Sequence, residues 1–444
     1  MTVLRFAWPS SDSKTNDTRW ADGLRGVAAV GVLCSHLTLS FFLFLVSPCE
    51  THGEGEAKVC EPLLFQRPIL RIFNTGNAWV ALFMILMGFV NSLKTMKQAQ
   101  SGDLTPAVTG LARTSFARIP RLVLPGTTVT IIAWFLCQLG FFEVARQSSA
   151  WWLSHNSRAP SANWYSAVGD LVQALVETWV EAENPYDQPQ WALVYLMKGS
   201  LFTFLILLLT STTRPSYRRL IIAIAYLWSW STHDGLVGTN VFFGMFLADL
   251  HVTSTLPTFR TPSLRLLPLL TAFLALWLMS YPSSDEYADA DVPWIRALTH
   301  IFRSMTPNPS EMSRYIPGVG AQLLCLSIHV SQDLKALFSI RVFTWLGSVS
   351  LSMYLLHGPL MRSVLAWMAF GPAYLLGVRN SEGKIPAPSG FALTIILLSW
   401  FGLLLVIVHI WTKRIEPLFA RATKFLVGEA KVTPEQGKEG TLPQ

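Results

Sequence analysis

Charge is scarce in this chain. Asp, Glu, Lys and Arg make up only 14% of its 444 residues, against about 25% in soluble globular domains, so a water-facing surface cannot be built over most of its length. Cysteine is rare too. Of the five, Cys34, Cys137 and Cys325 lie in apolar runs, where a thiol is ordinary packing, and no pair has metal-site spacing. Cys49 and Cys60 flank an acidic loop, and spacing alone leaves a disulfide between them open. The chain has no phosphate-cradling P-loop, no G-x-G-x-x-G turn and no G-x-S-x-G elbow, so mononucleotide, dinucleotide and serine-hydrolase chemistries lack their usual carriers. Its start, MTVLRFAWPSSDSKTNDTRW, lacks the apolar core and small-residue site of a removed signal peptide, and reads as a cytosolic tail.

Apolar residues take the place of charge. Hydrophobic residues reach 51%, there are 17 Trp, and mean hydropathy is +0.39. Tryptophan favours the membrane–water interface, so these values describe a polytopic membrane protein. The +7 net charge and pI near 9.2 would suggest nucleic acid in a soluble protein. Here the Lys and Arg sit in short loops between apolar runs, as topology signals do, and no nucleic-acid partner is expected.

Ten runs are candidate spans: 27–46, 78–93, 122–142, 191–209, 220–230, 236–250, 264–281, 316–330, 342–370 and 391–411. Basic residues between the second and third (Lys94, Lys97, Arg113, Arg118, Arg121), after the fourth (Arg214, Arg218, Arg219), before the seventh (Arg260, Arg265) and after the tenth (Lys413, Arg414, Arg421, Lys424) share one side of the membrane. Acidic loops with Glu50, Glu54, Glu56 and Glu61, or with Asp285, Glu286, Asp289 and Asp291, share the other. The positive-inside rule then predicts an all-α protein of about ten transmembrane helices with both termini cytosolic. The expected layout is a tail over 1–26, a membrane domain over 27–411 and a second tail over 412–444. The ninth run exceeds the ~20 residues that cross a bilayer, so its ends are expected outside the apolar core. The segment around 167–180 is a candidate interfacial amphipathic helix.

The first run carries the sharpest chemistry: RWADGLRGVAAVGVLCSHLTLSFF. Arg25 and His36 are eleven residues apart, almost three helical turns, so they share a face about 16 Å apart along the axis. Asp22, three residues before Arg25, joins that face. Ionisable groups inside a membrane helix are costly and usually functional. The plain alternative is that Asp22 and Arg25 anchor the helix at the interface while His36 bonds a neighbouring helix. RIPRLVLP sets Arg118 and Arg121 on one side of an expected helix start, with Pro120 in its first turn, either to grip phosphates or as positive-inside anchors. LGSVSLSMYLLHGPLM aligns Ser350, Tyr354 and His357 on one face, for substrate contact or interhelical bonds.

Together Arg19, Asp22, Leu24, Arg25, Gly26, Ala28, Ala29 and His36 resemble the opening motif of the acyltransferase type 3 family of integral membrane acyltransferases, an arginine followed by ten residues and a histidine. RIPRLVLP is similar to that family's Arg-x-x-Arg segment, and LGSVSLSMYLLH to its late-helix signature. In PQWALVYLMKGS, Trp191, Lys198, Gly199 and Ser200 align with a fungal phrase, while Leu196 stands where that phrase has glutamate, Val194 where it has proline, and Met87 where the second helix often has serine. The resemblance implies ten helices and an acyl-CoA co-substrate, with no permanently bound cofactor and no metal. His36 is the expected base, with Arg25 and Asp22 completing the catalytic group. Arg25, Arg118, Arg121 and Lys198 are expected on the phosphates of acetyl-CoA, and Trp191, Ser350, Tyr354 and His357 on the acceptor. Relatives in bacteria modify envelope sugars and fungal ones acylate secondary metabolites. The expected partners are thus acyl-CoA, a lipophilic hydroxylated small molecule such as a terpenoid or polyketide, and membrane lipids, in the endoplasmic reticulum or another endomembrane. The rival is a proton-coupled exporter using Asp22, Arg25 and His36 as a relay, though no internal repeat of transporter type is visible. An inactive relative kept as a membrane partner is a third reading, on Leu196 and Met87 alone.

Overall fold

The computed structural model describes residues 18–52, 59–255, 262–290, 292–308 and 310–429. Residues 1–17 and 430–444 of the two tails, with Glu54, Glu56, Arg260 and Asp291, lie outside them. The described residues are 78% helical, and the strands among them are β1 (Glu50–His52) and β2 (Val59–Glu61), an antiparallel hairpin. In chain order the helices are α1 (Arg19–Phe41), α2 (Gly76–Gln100), α3 (Leu104–Gln138), α4 (Glu143–Gln147), α5 (Trp151–His155), α6 (Trp164–Val180), α7 (Trp191–Thr210), α8 (Pro215–Ser231) and α9 (Gly238–Val252). They continue with α10 (Pro262–Met279), α11 (Pro293–Met305), α12 (Met312–Val330), α13 (Gln332–Phe338), α14 (Arg341–Ser348), α15 (Ser350–Leu360), α16 (Ala366–Leu375), α17 (Gly390–Arg414) and α18 (Glu416–Glu429).

Five helical segments among the described residues are long and apolar enough to cross a bilayer: Arg19–Phe41, Gly76–Gln100, Leu104–Gln138, Gln188–Thr210 and Gly390–Gly428. The other apolar runs are helical but shorter or interrupted. Two expectations about them need correcting. The basic stretch before residue 122 is the first half of α3, not a loop, so Arg118 and Pro120 lie mid-helix. Hydropathy registers polarity, not helicity, and a helix leaving the apolar layer looks like a connection. Proline in a helix interior costs about 3 kcal/mol in isolation; here α7 and α18 pack against α3 and hold it. The ninth run is three helices rather than one. It breaks between Ser348 and Ser350, and after Pro359 the ladder relaxes into a π-helical turn at Met361–Leu365. Such turns often sit at functional sites.

Close helix contact rests on glycine. A Cβ on Gly26 would lie 2.4 Å from the Gly347 nitrogen, and one on Gly347 would lie 2.0 Å from the Asp22 carbonyl oxygen. The glycines of LRG and LGS therefore let α1 and α14 touch backbone to backbone, the small-residue packing that membrane helices favour. A disulfide joins Cys49 and Cys60 and closes the hairpin beyond the end of α1. Below it, Gln66, Arg71 and Asn74 donate to the carbonyls of Phe44, Val46 and Leu45 and fasten the loop over that end. At the opposite end, Arg218 and Arg219 both clasp the fully buried Asp249, tying α8 to α9.

Candidate active site

A cavity of ≈510 Å³ opens among α1, α2, α3, α7, α15 and α18, within the size range of small-molecule sites. Three arginines line it: Arg25, Arg118 and Arg121. Each of the first two is held in place. The Arg25 Nη2 pairs with Asp22 at 3.0 Å and donates to the Gly347 carbonyl at 3.1 Å. That carbonyl also accepts from the Ser350 hydroxyl at 2.9 Å. Arg118 donates from Nε to the Ser200 hydroxyl at 2.9 Å, and its Nη2 lies 3.5 Å from the Met87 sulfur. The three guanidiniums come from two helices, and Ser350 and Tyr354 face the same space from a third. Leu196 and Met87 line it too. The amphipathic α18 closes one wall with Glu416 and Phe419, Glu416 accepting from the Ser352 hydroxyl at 2.5 Å.

Behind Tyr354 lies a pair of histidines. The His357 ring is 6.0 Å from the Tyr354 ring and 5.2 Å from that of His36, and Trp152 packs 4.8 Å from His36 on α1. His357 Nδ1 is 2.7 Å from the Tyr354 carbonyl, so it carries the proton and leaves Nε2 as a lone pair. Neither that Nε2 nor His36 Nδ1 has a hydrogen-bond partner among the described residues, although both are buried. Buried polar atoms are normally satisfied, and two open imidazole nitrogens side by side are what a site for proton transfer requires.

A buried ion pair stands next to the histidines. Arg362, from the π turn, and Asp187, from the loop before α7, are both 0% exposed and lie 2.8 Å apart. Arg362 also donates to the Gly358 and Asn156 carbonyls, and Gln190 donates to Asp187. Burial pushes the Asp187 carboxyl up to about 6, against the pull of Arg362. Gly358 makes room for the carboxylate, since a Cβ there would lie 2.2 Å from Asp187 Oδ1.

Of the residues singled out from sequence, Asp22, Arg25, Arg118, Arg121, Ser350 and Tyr354 gather at or beside the arginine cavity, and His36 and His357 lie together beyond it. Lys198 and Trp191 do not join them. The Lys198 ammonium pairs with Asp234 at 3.0 Å. Trp191 and Tyr195 face a second chamber of ≈780 Å³, while their neighbours Ala192 and Leu196 face the first. One helix thus walls both. Trp152, Asp187, Arg362 and Glu416 escaped the sequence reading. Arg362 stands as a charge inside an apolar run, whereas Asp187 is one acid among several in the segment before α7.

A family profile described as an acyltransferase domain matches residues 18–412. Among curated proteins, the chain is 25% identical to O-acetyltransferase PaAT-1 of Phomopsis amygdali, over 82% of this chain and 76% of that one. It is 25% identical to acyltransferase clz18 of Cochliobolus lunatus, over 94% and 97%. Acyltransferase R4 of a Phoma species is 22% identical over 88% and 92%. No solved structure matches the chain.

Proposed function

The chain belongs to the acyltransferase type 3 family, and on that premise we propose that it is a membrane O-acyltransferase, in the first instance an acetyltransferase, using acyl-CoA as donor. One observation carries this reading: the unpartnered His36–His357 pair lies just behind an arginine-lined cavity. Arg25, Arg118 and Arg121 hold the phosphates of coenzyme A, since guanidiniums grip phosphate in bidentate fashion. The thioester arm runs inward past Tyr354. His36 takes the proton of the acceptor hydroxyl, and the freed oxygen attacks the thioester carbonyl carbon. The carbon–sulfur bond then breaks, and the coenzyme A thiolate leaves and recovers a proton from the imidazolium. His357 contacts the reacting group through Nε2, while Arg362 and Asp187 fix the π turn just after it. A base at this place contributes about 10²–10⁴-fold.

The membrane layout follows the same reading: about ten crossings, both termini cytosolic, in the endoplasmic reticulum or another endomembrane. The Cys49–Cys60 disulfide supports it, since disulfides persist in oxidising compartments and this hairpin lies beyond the end of α1. The acceptor is a hydroxylated small molecule; the name of the first relative gives O-acetyl transfer as that protein's own reaction. Comparative metabolite mass spectrometry with and without the gene tests the function. A hydroxylated compound that accumulates while its acetylated form disappears is expected. An acetylated product still made but no longer secreted would overturn the reading in favour of export.

A further inference from the structure

The second chamber differs in character from the arginine cavity. It lies between the end of α6 and the start of α7, and Glu177, Glu181 and Glu183 stand in its wall. Its two arginines are already engaged, Arg158 by Asp170 at 3.1 Å and Arg314 by Glu311 at 3.4 Å and Asn77 at 2.8 Å. The Ser157 hydroxyl has no partner among the described residues although its residue is only 7% exposed, and the side-chain amide oxygen Oε1 of Gln188 is likewise buried and unpartnered. These atoms ask for hydrogen-bond donors, and the carboxylates reject anions. A polyphosphate donor therefore belongs in the first cavity and not here.

The floor of this chamber adjoins the buried Arg362–Asp187 pair. Asn156, which lines it, accepts from Arg362, and Gln188 directly follows Asp187. Tyr354, which lines the first cavity, donates to the Pro189 carbonyl one residue further on. The two spaces thus approach each other across the Arg362–Asp187 pair and the Tyr354–Pro189 contact.

We infer that the second chamber is the acceptor's site and that the acceptor presents a ring bearing two or more hydroxyl groups to Ser157 and Gln188. This rests on the acyltransferase reading and adds the acceptor's chemical class and its separate entrance. Trp191 and Tyr195, packed edge to face at 5.5 Å with the Arg314 guanidinium over the Trp191 ring, supply the aromatic wall against which such a ring packs.

Hydrogen–deuterium exchange on the full chain in detergent tests it, with myo-inositol, methyl glucoside and a dihydroxylated steroid as probes and acetyl-CoA as a separate ligand. At least one probe should protect residues 155–158 and 184–191, and Gln188→Leu and Ser157→Val should each weaken its apparent affinity tenfold or more. Acetyl-CoA should protect the segments around Arg25 and Arg118 equally in wild type and variants, which also shows the variants are folded. Protection by none of the probes, protection confined to the arginine cavity, or undiminished protection in both variants would overturn the inference. Absence of acetyl-CoA protection in the wild type would instead overturn the acyltransferase reading, whatever the probes do.

Discussion

Replacing Asp187 with alanine would leave the Arg362 guanidinium buried without a counter-charge. Both groups are 0% exposed and 2.8 Å apart, so no solvent takes over when one is removed. Breaking such a pair from one side costs about 3–5 kcal/mol, most of it the penalty of the stranded charge. Asp187→Asn is gentler, because its amide oxygen can still accept from Arg362. It should cost about 1.5–3 kcal/mol, the worth of a hydrogen bond to a charged group. Arg362→Met combined with Asp187→Ala removes both charges and should cost less than the two single changes added together, with a coupling of about 1–3 kcal/mol. Reversible unfolding in mixed dodecyl maltoside–SDS micelles, followed by far-ultraviolet circular dichroism, measures the wild type, the three single variants and the double variant. If Asp187→Ala falls within about 1 kcal/mol of wild type, as for an exposed ion pair, the two groups are not a buried pair and the account of the π turn fails.

Gly26→Ala should destabilise the protein by about 1–3 kcal/mol through overpacking against Gly347, read in the same unfolding assay. Arg118→Ala should raise the KM for acetyl-CoA about tenfold or more, the loss of one charge-assisted contact, whereas Lys198→Ala should leave it within about twofold, since Lys198 serves Asp234. Steady-state kinetics on purified protein separates the two. Cys49→Ser opens a loop whose ends are 11 residues apart and should cost about 3 kcal/mol by chain entropy. The native protein should shift on reducing gels after cysteine capping while this variant does not.

The helices were largely legible in sequence because apolar runs are long and strongly contrasted with basic loops. Their limits were not, since α3 carries its helix beyond the apolar stretch into residues that hydropathy counts as polar. The clustering of Arg25, Arg118, Arg121 and Tyr354 was accessible because each lies in a recognisable motif. The partnership of Gly26 with Gly347 was not, as it joins motifs 321 residues apart through absent side chains. Asp187 was unreadable for a different reason: a carboxylate in a loop looks solvated until a helix turn from 175 residues away covers it. Trp191 stands apart from the motif residues around the arginine cavity because consecutive positions of one helix, 100° apart, face two different chambers.

The central claim is that His36 moves the proton in acyl transfer. It is tested by following transfer from radiolabelled acetyl-CoA to the hydroxylated compound that accumulates in the gene deletion, with purified wild type and His36→Ala. His36→Ala should lower kcat about 10²–10⁴-fold with acetyl-CoA binding unchanged. A His36→Ala protein that turns over at the wild-type rate would contradict it.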